Sequence, residues 1–476
     1  MSKTKIVCTL GPSTSSEEAI VKLARKGMDV ARLNFSHGRL ESHAGMISAV
    51  KRVRKKLGKP IAILADLQGP RIRTGVVKNG MVELKRGSLV SINTRGDFIG
   101  SAREFSIPYP LLAREMQVGD RIFIDGGLME LLVQGKKNGR LAAEVVEGGE
   151  LRDHKGVNLP NADLSLGSLT AKDLRDLKFL QAQGVDYIAQ SFVRFAGDVR
   201  LLRRKISKWR QKPKIIAKIE TAKALDDIDA IIEESDGIMV ARGDLGVELK
   251  PEEVPLAQKL LIKKCNAAYK PVITATQMLE SMTHSPIPTR AEASDVANAV
   301  LDGTDALMLS GETAMGKYPF KTVETMEAIA HKTESALAHS IQSHDHDDVK
   351  PLHHNIVEAI SRAVTQTAFL LKAKFIVAYT THGTTARLIS KHKPLQKIIA
   401  FTPHESACNQ CALLWGAEPL LLRKAGGLEE FTRMAETELK KRRMVRKGDV
   451  LVLTAGIPLE VSGNTNVMKV HVVNGF

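Results

Sequence analysis

Two carboxylates, Glu220 and Asp244, follow short apolar runs at Lys214–Ile219 and Gly237–Val240. Two hard oxygen donors, with room left for substrate oxygens, describe a Mg2+ or Mn2+ site. Zinc would need nearby His or Cys, and too few stand there. Lys218 precedes Glu220 by two residues, so on a strand both side chains face the same way. Its ammonium either sits against a metal-bound substrate or pairs structurally with a carboxylate. Arg32 and Arg73 bring further cations, and Asn34, Ser36 and His37 bring neutral donors. Phe35, between them, suits a turn with its ring in the core. Cations around a divalent metal suit a phosphoryl group in transfer. Neither a G-x-x-x-x-G-K-[ST] loop nor the protein-kinase signature set occurs.

These residues need elements that bring them together. Eight short apolar runs recur: Ile6–Thr9, Val30–Asn34, Ile61–Asp66, Tyr187–Ser191, Lys214–Ile219, Gly237–Val240, Pro271–Ala275 and Ala306–Leu309. Continuous apolar runs are the mark of strands buried on both faces. Glu17–Lys26, Leu174–Gln183, Lys223–Glu234 and Thr289–Leu301 carry apolar residues at helical spacing. The alternation predicts an α/β fold, a closed (β/α)8 TIM barrel. Polar clusters end six of the strands, at Arg32–Gly38, Asp66, Lys218–Glu220, Arg242–Asp244, Thr276–Gln277 and Ser310–Glu312. A barrel gathers such ends on one face.

The interval from Asp66 to Tyr187 is too long for one crossover and reads as an insertion. Val82–Lys85, Leu89–Asn93, Arg121–Ile124, Leu131–Gln134 and Leu141–Val146 look like short strands between turns, with one short helix at Leu111–Met116. The expectation is a small β-barrel lid hinged at the mouth. Beyond a helix over Lys321–Ile341, the polar stretch Ser343–Asn355 reads as an interdomain linker. Its histidines, His344, His346, His353 and His354, with His339 just upstream, are a conceivable metal tract. Strands at Phe375–Tyr379, Lys397–Phe401, Pro419–Leu422, Val450–Thr454 and Val467–Val473 predict a C-terminal open α/β domain. The expected boundaries are 1–70 and 166–345 for the barrel, 71–165 for the lid and 346–476 for the last domain.

Composition narrows the partners. The chain has 476 residues, 43% hydrophobic and 26% charged, which is globular. Only 4% are aromatic, which argues against base-stacking platforms for nucleic acid. The net charge of +16 suits anionic partners without choosing among them. Four cysteines read as thiols in a reducing cytoplasm, with Cys408-x-x-Cys411 as a minor zinc or redox candidate. No apolar run reaches the roughly 18 residues of a membrane span, and Met1–Gly11 lacks a signal-peptide core. The expected location is cytoplasmic.

The order of the motifs resembles pyruvate kinase over almost the whole chain. The resemblance rests on Thr4–Pro12, Arg32–Gly38, Asp66–Pro70, Lys155–Pro160, Ile216–Glu220 and Met239–Gly246. Ala275–Met282, Pro288–Glu292 and Leu309–Ala314 extend it. It implies phosphoryl transfer from phosphoenolpyruvate to ADP, giving pyruvate and ATP in the last step of glycolysis. Glu220 and Asp244 are then the protein's Mg2+ ligands, and a second Mg2+ arrives with the nucleotide. Lys218 stabilises the phosphoryl group in flight. Arg32 contacts the substrate phosphate, and the Gly243 and Asp244 backbone its carboxylate. Thr276 helps deliver a proton to the enolate. Asn34, Phe35, Ser36, His37, Arg73 and Lys172 match nucleotide-contacting positions. The family also implies a homotetramer.

Two further expectations follow from the resemblance. A K+-independent subgroup has Leu and Gln where Leu67 and Gln68 stand, and Lys where Arg71 stands. A tethered cation in place of a bound one predicts activity without K+, although guanidinium differs from ammonium. The loop Thr380, Thr381, His382, Gly383, Thr384, Thr385 follows a strand and opens a helix, so its N–H groups can cradle the phosphate of an effector. It also fits an ordinary Thr-capped turn. Two other classes stay open: another barrel enzyme acting on a metal-bound enolate, and a non-catalytic basic binding protein.

Overall fold

The computed structural model describes residues 1–160, 162, 165–341, 356–459 and 465–474. The histidine-rich stretch 343–355 lies outside them, as does the His339 side chain. Eight parallel strands close a barrel: Lys5–Thr9, Met28–Asn34, Ala62–Asp66, Tyr187–Gln190, Lys214–Ile219, Gly237–Ala241, Val272–Ala275 and Ala306–Leu309. The first pairs with the last, Val7 opposite Met308, which leaves no edge. Most strand residues are buried because side chains pack both inside the barrel and under the outer helices.

Local signals start and stop those helices. The helix Glu17–Lys26 begins at Ser16, whose hydroxyl accepts from Ala19 N, and ends at Gly27 in a positive-φ conformation. Thr170 with Asp173, and Thr289 with Glu292, form capping boxes on Ala171–Gln183 and Arg290–Leu301.

The inserted domain is a curled seven-stranded sheet with a separate two-stranded ribbon. Its core holds Ile92, Phe105, Ile122, Leu131, Val133 and Leu141. Its root is the antiparallel pair Ile72–Arg73 and Gly156–Asn158, with Gly156 opposite Arg73. These two strands are too short to show a sequence period.

The C-terminal domain is a five-stranded sheet, four strands parallel and Val467–Val472 antiparallel at one edge. It packs on the barrel base. Ala412 and Leu413 join the cluster of inward-facing barrel residues that includes Val7, Leu64, Tyr187 and Met239. Tyr187 Oη donates to Gln410 O at 2.6 Å. A buried ionic node ties the domains: Asp305 pairs with Lys391, and with Lys393 at 2.7 Å. Asp305 also accepts from Val272 N at 2.8 Å.

Burial alone would raise the Asp305 pKa, but the two lysines hold it below 3.8. A carboxyl depressed in the fold contributes stability above its unfolded pKa and loses it as pH falls through the folded one. Asp305→Ala is therefore expected to cost about 3–5 kcal/mol in urea unfolding at neutral pH. That difference should persist at pH 5 and narrow only below 3.8.

Candidate active site

Lys218 leaves the fifth barrel strand with its side chain buried at the mouth. Its ammonium lies 2.8 Å from Glu220 Oε1, 3.2 Å from Asp66 Oδ1 and 2.7 Å from Ser191 Oγ. Asp66 ends the third strand and also takes Arg32 Nε and Nη2 at 2.8 Å each. Arg32 Nη1 donates to Thr9 Oγ1 at 2.8 Å. Residues on or directly after five of the strands thus contribute to one network with hardly any solvent contact: Asp66 and Glu220 are 1% exposed, Arg32 and Lys218 8%. Burial works against the charge on Lys218, yet Asp66 and Glu220 raise its pKa. Burial likewise works against Asp66, yet Lys218 and Arg32 lower its pKa.

Glu220 behaves differently. Burial pushes its carboxyl up to about 7 against the pull of Lys218, and the neighbouring Asp244 charge adds to the rise. Phe192 N donates to Glu220 Oε2 at 2.6 Å. Asp244, on the helix Arg242–Glu248, has Arg71 Nη2 3.5 Å from Oδ1. Two repelling carboxylates, one buried and one partly exposed, fit a hard divalent cation whose remaining bonds go to substrate and water. Among the described residues no group of three or more His, Cys, Asp or Glu could hold a metal. That fits a site completed by substrate oxygens, and it leaves the Cys408/Cys411 pair without a zinc set. Both thiols are buried, which pushes them up to about 12 and about 11.

The turn Asn34–Gly38 continues the second strand. The Phe35 ring is buried and stacks on His43, centroids 4.3 Å apart, so only its backbone faces the site. Asn34 Oδ1 accepts from Ser36 N at 3.0 Å. Lys172 Nζ reaches Phe35 O and Asp176 Oδ2, each at 2.6 Å, and so braces this turn from below. His37 is exposed, and its pKa is lowered by partial burial and by Arg73, Arg71 and Arg32. Arg73 Nη1 donates to His154 O at 2.9 Å on the inserted domain.

Thr276 follows the seventh strand with φ +69, and Gln277 follows with φ +54. A β-branched residue rarely adopts such a backbone. Thr276 Oγ1 donates to Ala275 O at 2.6 Å and accepts from Gly243 N at 2.7 Å. Thr276 is thereby joined to the helix that carries Asp244. A cavity of about 80 Å³ beside this rim is lined by Arg71, Asn158, Phe192, Thr221, Lys223 and Glu248. Glu248 accepts from Ala222 N at 3.0 Å and from the Asn158 side chain, joining the barrel rim to the inserted domain.

Far from the mouth, Gly383 (φ +84) caps the helix Thr384–Lys391. Thr380 and Thr385 are buried, and Thr385 Oγ1 bonds Thr465 Oγ1 at 2.9 Å. Thr381 and Thr384 are partly exposed and His382 is exposed.

Sequence reasoning ended a strand at Asp66 without giving it a role. It also passed over Ser191 and the Arg242 side chain as participants. The polar strand-end signal pointed to Asp66 and Arg242. Nothing in the sequence marked Ser191.

Comparisons with known proteins point to one family. The chain matches the family model "Pyruvate kinase, barrel domain" over residues 1–323 and "Pyruvate kinase, alpha/beta domain" over 358–471. It is 46% identical to a pyruvate kinase of Staphylococcus saprophyticus, covering 99% of this chain and 81% of that one. A Staphylococcus aureus pyruvate kinase (strain MRSA252) gives the same identity and coverage. Among solved structures, a pyruvate kinase from Cryptosporidium parvum superposes with TM-score 0.91 at 38% identity. That match covers 99% of this chain and 96% of the other.

Removing one partner of a buried charge cluster strands the others. Asp66→Ala leaves Arg32 without its carboxylate and Lys218 with one fewer. The expected loss is about 3–5 kcal/mol in urea unfolding, and Asp66→Asn, which keeps the shape and one acceptor oxygen, should lose less.

Proposed function

This chain belongs to the pyruvate kinase family and is a phosphotransferase, and from that premise we propose how its own residues carry the reaction. Its substrates are phosphoenolpyruvate and ADP, and family membership displaces both the other-enolate and the basic-binding readings. Glu220 and Asp244 hold Mg2+ or Mn2+. When bound, the ion neutralises substrate charge and polarises phosphoryl and carboxylate oxygens.

Arg32 faces the phosphate of phosphoenolpyruvate. Lys218, fixed by Glu220 and Asp66, offers an ammonium to the three phosphoryl oxygens as the enol P–O bond breaks and the bond to ADP forms. Such preorganised charge in a dry site is the largest single contribution in many enzymes. Gly243 and Asp244 backbone groups face the substrate carboxylate. The Gly243 N–H already points at Thr276 Oγ1, so carboxylate and hydroxyl share one donor. Thr276 then passes a proton, through water, to the methylene carbon of the enolate, giving pyruvate. Asn34, Phe35 (by its backbone), Ser36, His37, Arg73 and Lys172 form the nucleotide side. The inserted domain closes over the mouth and keeps water from taking the phosphoryl group.

Three finer statements belong to the same proposal. Arg71, 3.5 Å from Asp244, supplies the positive charge that makes K+ unnecessary. The Thr380–Thr385 loop takes the phosphate of an activating metabolite, with the partly exposed Thr381 and Thr384 as its side-chain donors. The chain assembles as a homotetramer in the cytoplasm. Leu256, Leu260 and Leu301, exposed on two neighbouring helices, are apolar surface suited to an interface. Four free, buried cysteines suit a reducing compartment.

The observation that carries the reading is the convergence of Lys218, Glu220 and Asp66 within 3.2 Å at the rim that holds Asp244. A coupled assay should detect pyruvate only with ADP and a divalent cation. Lys218→Met should cut kcat about 100- to 1,000-fold with an unchanged circular-dichroism spectrum. Undiminished turnover would refute the scheme. In K+-free Tris buffer the wild type should already be fully active, and strong activation on KCl titration would remove Arg71 from its assigned role.

A further inference from the structure

The pair Arg242 and Gln277, singled out at strand ends, has no place in the mechanism above. Thr276 and Gln277 occupy two successive positive-φ positions without glycine. Strain of this kind persists only where surroundings impose it. The Arg242 guanidinium is the main restraint in sight. Its Nη2 donates to Thr276 O at 2.7 Å and reaches Gln277 O at 3.4 Å. Its Nη1 donates to Asp295 Oδ1 at 2.7 Å and to Gln258 Oε1 at 3.2 Å. Asp295 and Gln258 sit on the helices Arg290–Leu301 and Val254–Ala267. One planar fork therefore clamps both strained carbonyls to two outer helices. The side chain is 11% exposed, so water competes weakly for the bond to Thr276 O, while the longer contact to Gln277 O is exposed.

We propose that Arg242 is a positioning residue for protonation: it holds the Thr276–Gln277 turn so that the Thr276 hydroxyl stays on the Gly243 N–H and faces the enolate. The inference rests on the reading of Thr276 as the proton-delivering group. The clamp acts after phosphoryl transfer. In that first step the enol P–O bond breaks and the bond from the ADP β-phosphate oxygen to phosphorus forms, leaving the pyruvate enolate. In the second, the enolate carbon–carbon double bond takes up one proton from Thr276 and water, the carbonyl forms, and solvent restores the proton. Of the two steps, proton delivery is the one in which Thr276 Oγ1 itself takes part. Lys at 242 keeps the charge but cannot bridge the carbonyls and Asp295 together.

The test compares wild type, Arg242→Lys, Asp295→Asn and Thr276→Ala in two assays. One is steady-state turnover. The other is exchange of pyruvate methyl hydrogens with deuterated water, followed by NMR in the presence of Mg2+ and ATP. Arg242→Lys should slow exchange about tenfold, with KM for phosphoenolpyruvate and ADP and the midpoint for Mg2+ activation unchanged. Asp295→Asn, which leaves the guanidinium but weakens its anchor, should slow exchange by a smaller factor. A general loss of folding would instead move all these constants and the melting temperature together, and that pattern in both variants would overturn the proposal. Exchange slowed in Thr276→Ala but intact in both Arg242→Lys and Asp295→Asn would sink the clamp and leave the Thr276 reading standing. Exchange intact in Thr276→Ala as well would sink the Thr276 reading itself.

Discussion

A lysine ammonium placed where water hardly reaches sets the terms for the whole barrel mouth. Lys218 is almost fully buried, and an isolated charge there would cost several kcal/mol. Two carboxylates offset that cost, but each brings a charge of its own. Asp66 is balanced twice, by Lys218 and by Arg32, and stays ionised. Glu220 is balanced once and lies near Asp244, so its proton is held up to about pH 7. The carboxylates least neutralised by protein cations are thus the pair suited to a dication. The geometry keeps the Lys218 ammonium fixed between Asp66, Glu220 and Ser191, and leaves Glu220 and Asp244 with few protein cations of their own.

A parallel barrel is the architecture that lets residues so distant in sequence share one rim. Arg32, Asp66, Lys218 and Thr276 end four different strands, and all strands run the same way. The inserted domain leaves after Asp66, at that same rim, and its root is the short pairing of Ile72–Arg73 with Gly156–Asn158. Arg71 and Asn158 flank or belong to this root. Arg71 faces Asp244, and Asn158 bonds Glu248 four residues further along the same helix. The root of the inserted domain is therefore tied directly to the helix that carries Asp244.

The barrel was readable because burial on two faces leaves no polar alternation. Ile61–Asp66 and Lys214–Ile219 are apolar almost throughout, and each observed strand falls within a residue or two of its apolar run. The inserted domain was less readable. Leu89–Asn93 and Arg121–Ile124 stood out as strands, whereas Glu104–Ser106, Gly149–Arg152 and Gly156–Asn158 did not. Each of those three segments carries a single apolar side chain, Phe105, Leu151 or Val157, too few to show a period. Leu413, which plugs the barrel base, carries no local sign of that task either.

In the candidate site, charged residues at strand ends were legible because a polar cluster closing an apolar run is a local event. The contacts that give those residues their properties are not local. Ser191 looks like any strand-ending serine, and only closure of the barrel brings its hydroxyl to 2.7 Å from Lys218. Thr276 has an ordinary side chain on an improbable backbone, and a sequence records composition without recording φ. A glycine would have flagged the turn. Threonine stands there instead, its hydroxyl between Ala275 O and Gly243 N, and it must borrow its conformation from neighbours. The lender is Arg242, one position past the sixth strand, so the strain at one strand end is held by the guanidinium of the next.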